Sequence, residues 1–420
     1  MQKQQLRSKI SLMTNGLKQF KNSPLFLLYI TIFINNIGFG IIHPLLPFYA
    51  KTFNASGTTI GILAASYAVA QFIFATFWGQ LSDSFGRKVI ITISLLGYSL
   101  AYLIFGLANT LSLLFVARFL QGLFAAAALP IAQAYVADTT TDKERTKAMS
   151  YLFAALGAGM IFGPGLGGFL STISPSLPFF GAAVISFLNF IFVWLKLPAI
   201  APKKPEGFSV LESLATNFKQ VGMGLRSKLL PYFIMIGLWS YGVSNNQAAL
   251  PLLGMIKLNL SASDISWIFS ITGFFFALMQ ILIVNRVSRK LGEQRTTSFG
   301  LFSMAIALFL MSFSPSYLFL ILTAIILTFG SALARPNISS IISKLAVAGQ
   351  GTTMGIALSF EALGRILGPA TGGYLFEKFY GYGPFWASAF SILLFLIFYH
   401  RKNIFNRCLT LKVKHPGDGE

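Results

Sequence analysis

Glu361 and Arg365 stand four residues apart in LSFEALGRILGPATGG, within a stretch from 345 to 376 that holds no other charged residue. On a helix that spacing puts both side chains on one face. Burial in an apolar helix disfavours an ionised carboxylate, and a neighbouring guanidinium favours it again. Such a pair suits a group that takes up and releases a proton, with Glu361 carrying it and Arg365 tuning it. A permanent pair that only neutralises Arg365 is the simpler alternative. Arg118 and Arg335 also fall inside apolar runs, where a cation is costly and turns toward a cavity or a partner.

Two further stretches combine residue types that do mechanical work. GQLSDSFGRKVI (79–90) places Asp83, Arg87 and Lys88 with two glycines in a short gap between uncharged runs. A very tight turn between helices explains this: Gly86 supplies a backbone conformation other residues avoid. Gly79 is expected to let neighbouring helices approach, and Arg87 and Lys88 to anchor the loop at a membrane face. In GAGMIFGPGLGG (157–168), Pro164 removes one helix hydrogen bond and kinks the helix. Gly159, Gly163, Gly167 and Gly168 there permit close packing. Polar groups able to line a central cavity are Asn35, Asn36, His43, Gln133, Asn245, Asn246, Gln247, Gln280 and Arg335. His400 and His415 belong to the tail region and are expected to be inert. Three scattered histidines and one cysteine, Cys408, provide no metal site and no disulfide.

The elements that position these residues follow from composition. The 420 residues are 55% hydrophobic and 10% charged, with mean hydropathy +0.70. Soluble domains are about 45–50% apolar and about 25% charged, so this chain cannot cover a water-facing surface and is read as a membrane protein. Runs of about 20 apolar residues span a bilayer. They occur at 25–50, 60–81, 89–108, 111–137, 148–171, 177–195, 229–253, 265–284, 296–313, 315–343, 351–376 and 382–399. Backbone groups in lipid must bond within their own segment, so these twelve are helices. The expected order is a cytoplasmic arm (1–24), a six-helix half (25–197), a polar, loosely amphipathic linker (198–228), a second half (229–400) and a cytoplasmic tail (401–420). The arm lacks the apolar core of a signal peptide.

Net charge is +20, which in a soluble chain would suggest nucleic acid. Here the basic residues sit in the gaps: 26 of the 32 fall on one side of the spans, while only Lys51, Lys257 and Lys378 fall on the other. By the positive-inside rule both termini are cytoplasmic. The halves also repeat. GPGLGG at 163–168 recurs as GPATGG at 368–373, and Met149 as Met354, an offset of 205. At an offset of 206, Gly86 falls on Gly292 and Pro130 on Pro336. Duplicated halves are a transporter architecture.

At this point the motifs become specific. Gly79, Leu81, Asp83, Gly86, Arg87 and Lys88 resemble the loop between spans 2 and 3 of the major facilitator superfamily, G-x-L-x-D-x-x-G-R-K/R. Asp138 and Arg145 resemble the Asp that closes span 4 and the Arg that opens span 5. This resemblance implies a conformational latch of Asp83, Gly86, Arg87 and Asp138. Gly159, Gly163, Pro164, Gly167 and Gly168 fit the pattern G-x-x-x-G-P-x-x-G-G, which in the superfamily marks proton-coupled antiporters, above all twelve-span drug exporters. Arg118, Gln121 and Gly122 resemble the R-x-x-Q-G element, whose Arg is tied to proton transfer in relatives. Pro44 and Pro47 fit the first-span P-x-x-P, but the acidic residue many drug antiporters carry in that span is replaced here by Asn35, Asn36 and His43.

The resemblance implies an all-α fold of twelve transmembrane helices in two pseudo-symmetric halves. It implies a secondary transporter that exports a small amphipathic compound or drug by alternating access, with the proton gradient as energy source and no cofactor. Coupling candidates are Glu361, Arg118 and Arg365. The expected partners are a small-molecule substrate, protons and the lipid bilayer of a bacterial inner membrane, with no nucleic acid; the expected state is a monomer. A dedicated metabolite or siderophore transporter, working in either direction, is the alternative, and three in-span arginines against one glutamate lean toward an anionic or zwitterionic substrate. The absence of H-E-x-x-H and G-x-S-x-G argues against an enzyme, and the absence of a P-loop against ATP-driven pumping.

Overall fold

The computed structural model describes residues 24–200, 210–346 and 349–412, with side chains for all of these except 142–143 and 402–412. The basic arm, the PKKPEG part of the linker, the Cys408 side chain and His415 therefore lie outside the described residues. Apolar runs that must satisfy their own backbone become helices, and among the described residues there is helix and no strand. The first half contains α1 (Pro24–Lys51), α2 (Gly57–Phe85), α3 (Arg87–Gly106), α4 (Leu111–Thr139), α5 (Asp142–Ser171) and α6 (Leu177–Lys196). The linker forms α7 (Val210–Leu225). The second half contains α8 (Leu230–Lys257), α9 (Ala262–Met279), a π turn (Gln280–Val284) leading directly into α10 (Asn285–Leu291), α11 (Glu293–Ser312), α12 (Tyr317–Lys344), α13 (Gln350–Lys378) and α14 (Gly383–Lys412).

Ten of these segments are long and apolar enough to cross a membrane by length and composition. The other two long helices, α8 and α13, have 28 and 29 residues. At 1.5 Å per residue both exceed a hydrocarbon core of about 30 Å. They fall short in hydropathy because α8 carries Asn245, Asn246 and Gln247, and α13 carries Glu361 and Arg365. The two pack on each other, and Asn245, Asn246 and Glu361 are buried while Arg365 is exposed.

The repeat is three-dimensional. α3 packs on α4 and α6, and the equivalent α11 packs on α12 and α14. In α5, a Cβ on Gly159 would lie 2.6 Å from Phe33 O, and one on Gly163 would lie 2.6 Å from Ile37 O and 2.9 Å from the Cα of Gly40, all on α1. In α13, Gly364, Gly368 and Gly372 press on α8 in the same way; a Cβ on Gly368 would lie 2.8 Å from Tyr241 O. The glycine ladder is thus present twice. Gly79 is different: a Cβ there would meet nothing within 4 Å. The expectation that it permits helix approach is corrected; it faces open space.

The change of offset from 205 to 206 has a local cause. Ser56 receives the Thr59 amide at the start of α2, and Ser261 receives the Asp264 amide at the start of α9, in a capping box. These serines are 205 apart, while Gly86 and Gly292 are 206 apart. The second-half helix therefore holds one extra residue, which the π turn at Gln280–Val284 absorbs.

Compactness divides the chain differently from chain order. Of the described residues, one unit holds those up to 43 and those within 73–214, the other those of 44–72 and those from 215 on. The first part of α2 belongs to the second unit because it packs on α13. A Cβ at Gly61 would collide with Pro369 O, and one at Gly373 with Gly57 O. Glu377 completes the contact, accepting the Gly57 amide at 2.7 Å and the Thr58 hydroxyl.

Candidate functional site

In the second unit three helices converge on one carboxylate. Glu361 of α13 is buried, and its Oε2 lies 3.2 Å from Arg335 NH2 of α12, with Oε1 at 3.4 Å. Trp239 of α8 donates its indole N–H to Ser331 at 2.9 Å, and the Arg335 guanidinium sits over its ring at 5.5 Å. The Glu361 carbonyl accepts the Ser240 hydroxyl at 2.7 Å, fixing α13 against α8. The carboxylate side chain is 8% exposed and the Arg335 side chain 41%, so the pair has a buried acid and an accessible base.

This corrects the expected pairing. Glu361 and Arg365 share a helix, yet the ion pair goes to Arg335, 26 residues away. Arg365 is exposed and makes no ion pair among the described residues. Of the other cavity candidates in this unit, Asn245 is not one: its amide bonds Pro384 O at 3.0 Å and Ser388 at 2.8 Å, pinning α8 to α14. Asn246 is buried with its Oδ1 unbonded. Gln280 is half-buried and opens the π turn. Trp239, Ser240 and Ser331 were not singled out from sequence; a lone Trp and serines in apolar helices carry no distinctive spacing.

In the first unit Arg118 of α4 is fully buried and donates to Gln121 Oε1 at 3.1 Å. His43 of α1 packs edge-on against Phe39 at 4.3 Å, and its Nε2 has no hydrogen-bond partner. Asn35 is buried, Gln133 is half-buried, and Asn36 is spent on the Ile32 carbonyl at 2.8 Å. The expected latch residues do come together. Arg87 Nε donates to Asp138 Oδ2 at 3.1 Å, while its terminal nitrogens reach Asp83 and Ser82. Arg87 is itself buried. Gly86 caps α3 at φ 92°, the conformation its lack of a side chain permits. Arg145 reaches the Ala137 carbonyl at 3.4 Å, at the end of α4. Among the described residues no group of His, Cys, Asp and Glu is placed to hold a metal ion.

The family model described as Major Facilitator Superfamily matches residues 28–247 and again 232–405. The chain belongs to the major facilitator superfamily. Multidrug resistance protein 2 of Bacillus subtilis is 34% identical over 86% of this chain and 91% of its own length. Multidrug resistance protein 1 of the same organism is 32% identical over 89% and 95%. Quinolone resistance protein NorA of Staphylococcus aureus is 29% identical over 85% and 90%. Among solved structures, a POT family transporter in complex with 5-aminolevulinic acid superposes with TM-score 0.75 at 16% identity over 89% of this chain and 94% of that one. The human organic anion transporter MFSD10 superposes with TM-score 0.68 at 19% identity over 89% and 98%. The twelve long helices are therefore a major facilitator fold of two repeated halves, and the chain is a multi-pass membrane transporter.

Proposed function

We propose that this transporter exports small amphipathic drugs in exchange for protons, by alternating access, from the cytoplasm of a bacterial cell, as a monomer with both termini inside. Full-length similarity to multidrug resistance proteins supports the drug class, and the asymmetry of basic residues supports the orientation. The observation that carries the mechanism is the pairing of buried Glu361 with accessible Arg335 on the Trp239 face.

A carboxylate buried away from water and left without its cation is strongly disfavoured. Glu361 therefore parts from Arg335 only if a proton or another cation takes its place. A proton and a substrate ammonium then compete for one carboxylate, which is the competition an exchanger needs. Trp239 holds the displaced guanidinium by a cation–π contact, and that guanidinium can receive the acidic group of a zwitterionic drug. The substrate class this favours is a lipophilic amine with or without a carboxylate. Exposed Arg365 supports a second reading, transport of an anionic metabolite.

Inverted vesicles loaded by ATP-driven acidification decide among these, using ethidium, a quinolone and an anionic dye as probes. The expected result is uptake of ethidium and the quinolone that stops when an uncoupler collapses the gradient, and loss of gradient-driven uptake in Glu361→Gln. Uptake indifferent to the uncoupler overturns proton exchange. Uptake of the anionic dye alone favours the second reading.

A further inference from the structure

The helix pair α2 and α13 is closed at one end by direct contact, through Gly57, Gly61, Pro369, Gly373 and Glu377. Eleven residues along α2 from Gly61, about 16 Å at 1.5 Å per residue, the second unit is built differently. There α7 is bonded to both helices. Asn217 is buried and donates its amide to the Phe72 carbonyl of α2, and Phe218 sets its ring edge-on to Phe72 at 5.1 Å. Toward α13, Gln220 accepts the Ser359 hydroxyl at 2.8 Å, and its amide fills the space beside Gly355. One turn on, Gly224 lies against Phe360 and Ile356 so closely that a Cβ would collide. At its start, in the first unit, Ser213 is fully buried and donates to Gln80, further along α2.

These contacts are specific and polar, and they reach main-chain as well as side-chain groups. A linker that merely joined two halves would need none of them. A segment that only lay on the membrane surface would turn its polar side chains to water; here Ser213 and Asn217 are buried and Gln220 is bonded to α13. We propose that α7 is a wedge: bonded to α2 at Phe72 and to α13 at Ser359, it keeps these two helices apart there, and it must withdraw before they can close at that end. The linker is then an internal brake on the transport cycle. With side chains, a helix is about 10–12 Å across, so its presence or absence is a large displacement for two helices already in contact about 16 Å away. This inference rests on the alternating-access reading above, and the test separates the two.

The single native cysteine, Cys408, is replaced by Ser, and two cysteine pairs are made. Gln220→Cys with Ser359→Cys locks α7 on α13; Thr58→Cys with Glu377→Cys locks the end that is closed by direct contact. The expected result is that oxidation of either pair lowers transport by about tenfold or more, and that reductant restores it. If the Thr58–Glu377 lock stops transport and the Gln220–Ser359 lock does not, α7 is no wedge while alternating access stands. If neither lock matters, alternating access fails and the wedge with it. A second measurement needs no disulfide. With Ser359→Cys alone, adding Asn217→Ala is expected to speed thiol labelling at position 359 severalfold while transport persists. An unchanged labelling rate overturns the proposal.

Discussion

The turn between α2 and α3 and the turn between α10 and α11 are the same device built with opposite charges. Gly86 has φ 92° and ψ 143°; Gly292 has φ 80° and ψ 155°. At an offset of 206, Arg87 falls on Glu293, Asp138 on Lys344 and Asp83 on Arg289. Each acid has become a base and each base an acid, and the pair is kept: Glu293 lies 2.6 Å from Lys344, with Ser340 donating to it at 2.7 Å. What the repeat preserves is an ion pair joining the start of one helix to the end of the next, not its sign. The two differ in burial. Arg87 and Asp138 side chains are 10% and 19% exposed; Lys344 and Glu293 are 66% and 27%. A guanidinium with five donors reaches three partners at once, whereas an ammonium is a single solvated charge. The first turn is a three-way clasp around a buried arginine, with Asp83 half-exposed, and the second is an exposed pair with Arg289 exposed beside it.

The sharpest way to break this comparison is Arg87→Ala. It leaves Asp83 and Asp138 without their cation, and a loss of about 3–5 kcal/mol is expected for the buried pair. Thermal stability in detergent should fall and vesicle transport should all but cease; wild-type transport would mean the clasp is dispensable.

Next in size are the ladders the two halves share. Gly163→Ala and Gly368→Ala each drive a methyl group into facing backbone, with an expected cost of about 1–3 kcal/mol. Comparable drops in melting temperature would confirm that the ladders are equivalent. A drop in one alone would make the repeat sequence-deep only.

Smaller effects belong to the exposed turn. Glu293→Ala or Lys344→Ala should cost no more than about 1 kcal/mol and leave transport within a few-fold of wild type. Exchanging the residues, Glu293→Lys with Lys344→Glu, should be tolerated. The matching exchange in the first turn, Arg87→Glu with Asp138→Lys, should not be, because Asp83 then faces a glutamate. Equal tolerance of both exchanges would erase the distinction drawn from burial. Gly79→Ala should be the mildest, neutral or slightly stabilising, since its Cβ enters open space and alanine is the better helix former.

Much of the fold was legible because lipid leaves a backbone few choices. Apolar runs of spanning length located the twelve long helices, although α5 starts six residues earlier, the helical run of α9 continues through the π turn and α10 to Leu291, and α14 extends to Lys412; positions that recur at a fixed offset gave the duplication. Asp83, Arg87 and Asp138 were grouped through the motifs that resemble the superfamily pattern, and the structure brings the three together. Glu361 was recognised as the buried acid, yet its partner was misread. Spacing along one helix offers only neighbours three or four residues away, and Arg335 arrives from another helix. Asn245 and Gly79 were misjudged for the same reason: polarity and smallness say what a residue permits, not what stands opposite it.

By itself the sequence determined that this chain is helical, spans a membrane many times and is built twice, since hydrophobic length and repetition are properties of the chain alone. Only the tertiary structure decided which charge meets which, that the second turn inverts the first, and that the linker helix is bonded to α2 and α13. Those are matters of which helix lies beside which, and inside apolar surroundings a charge or an amide is held wherever packing brings it a partner.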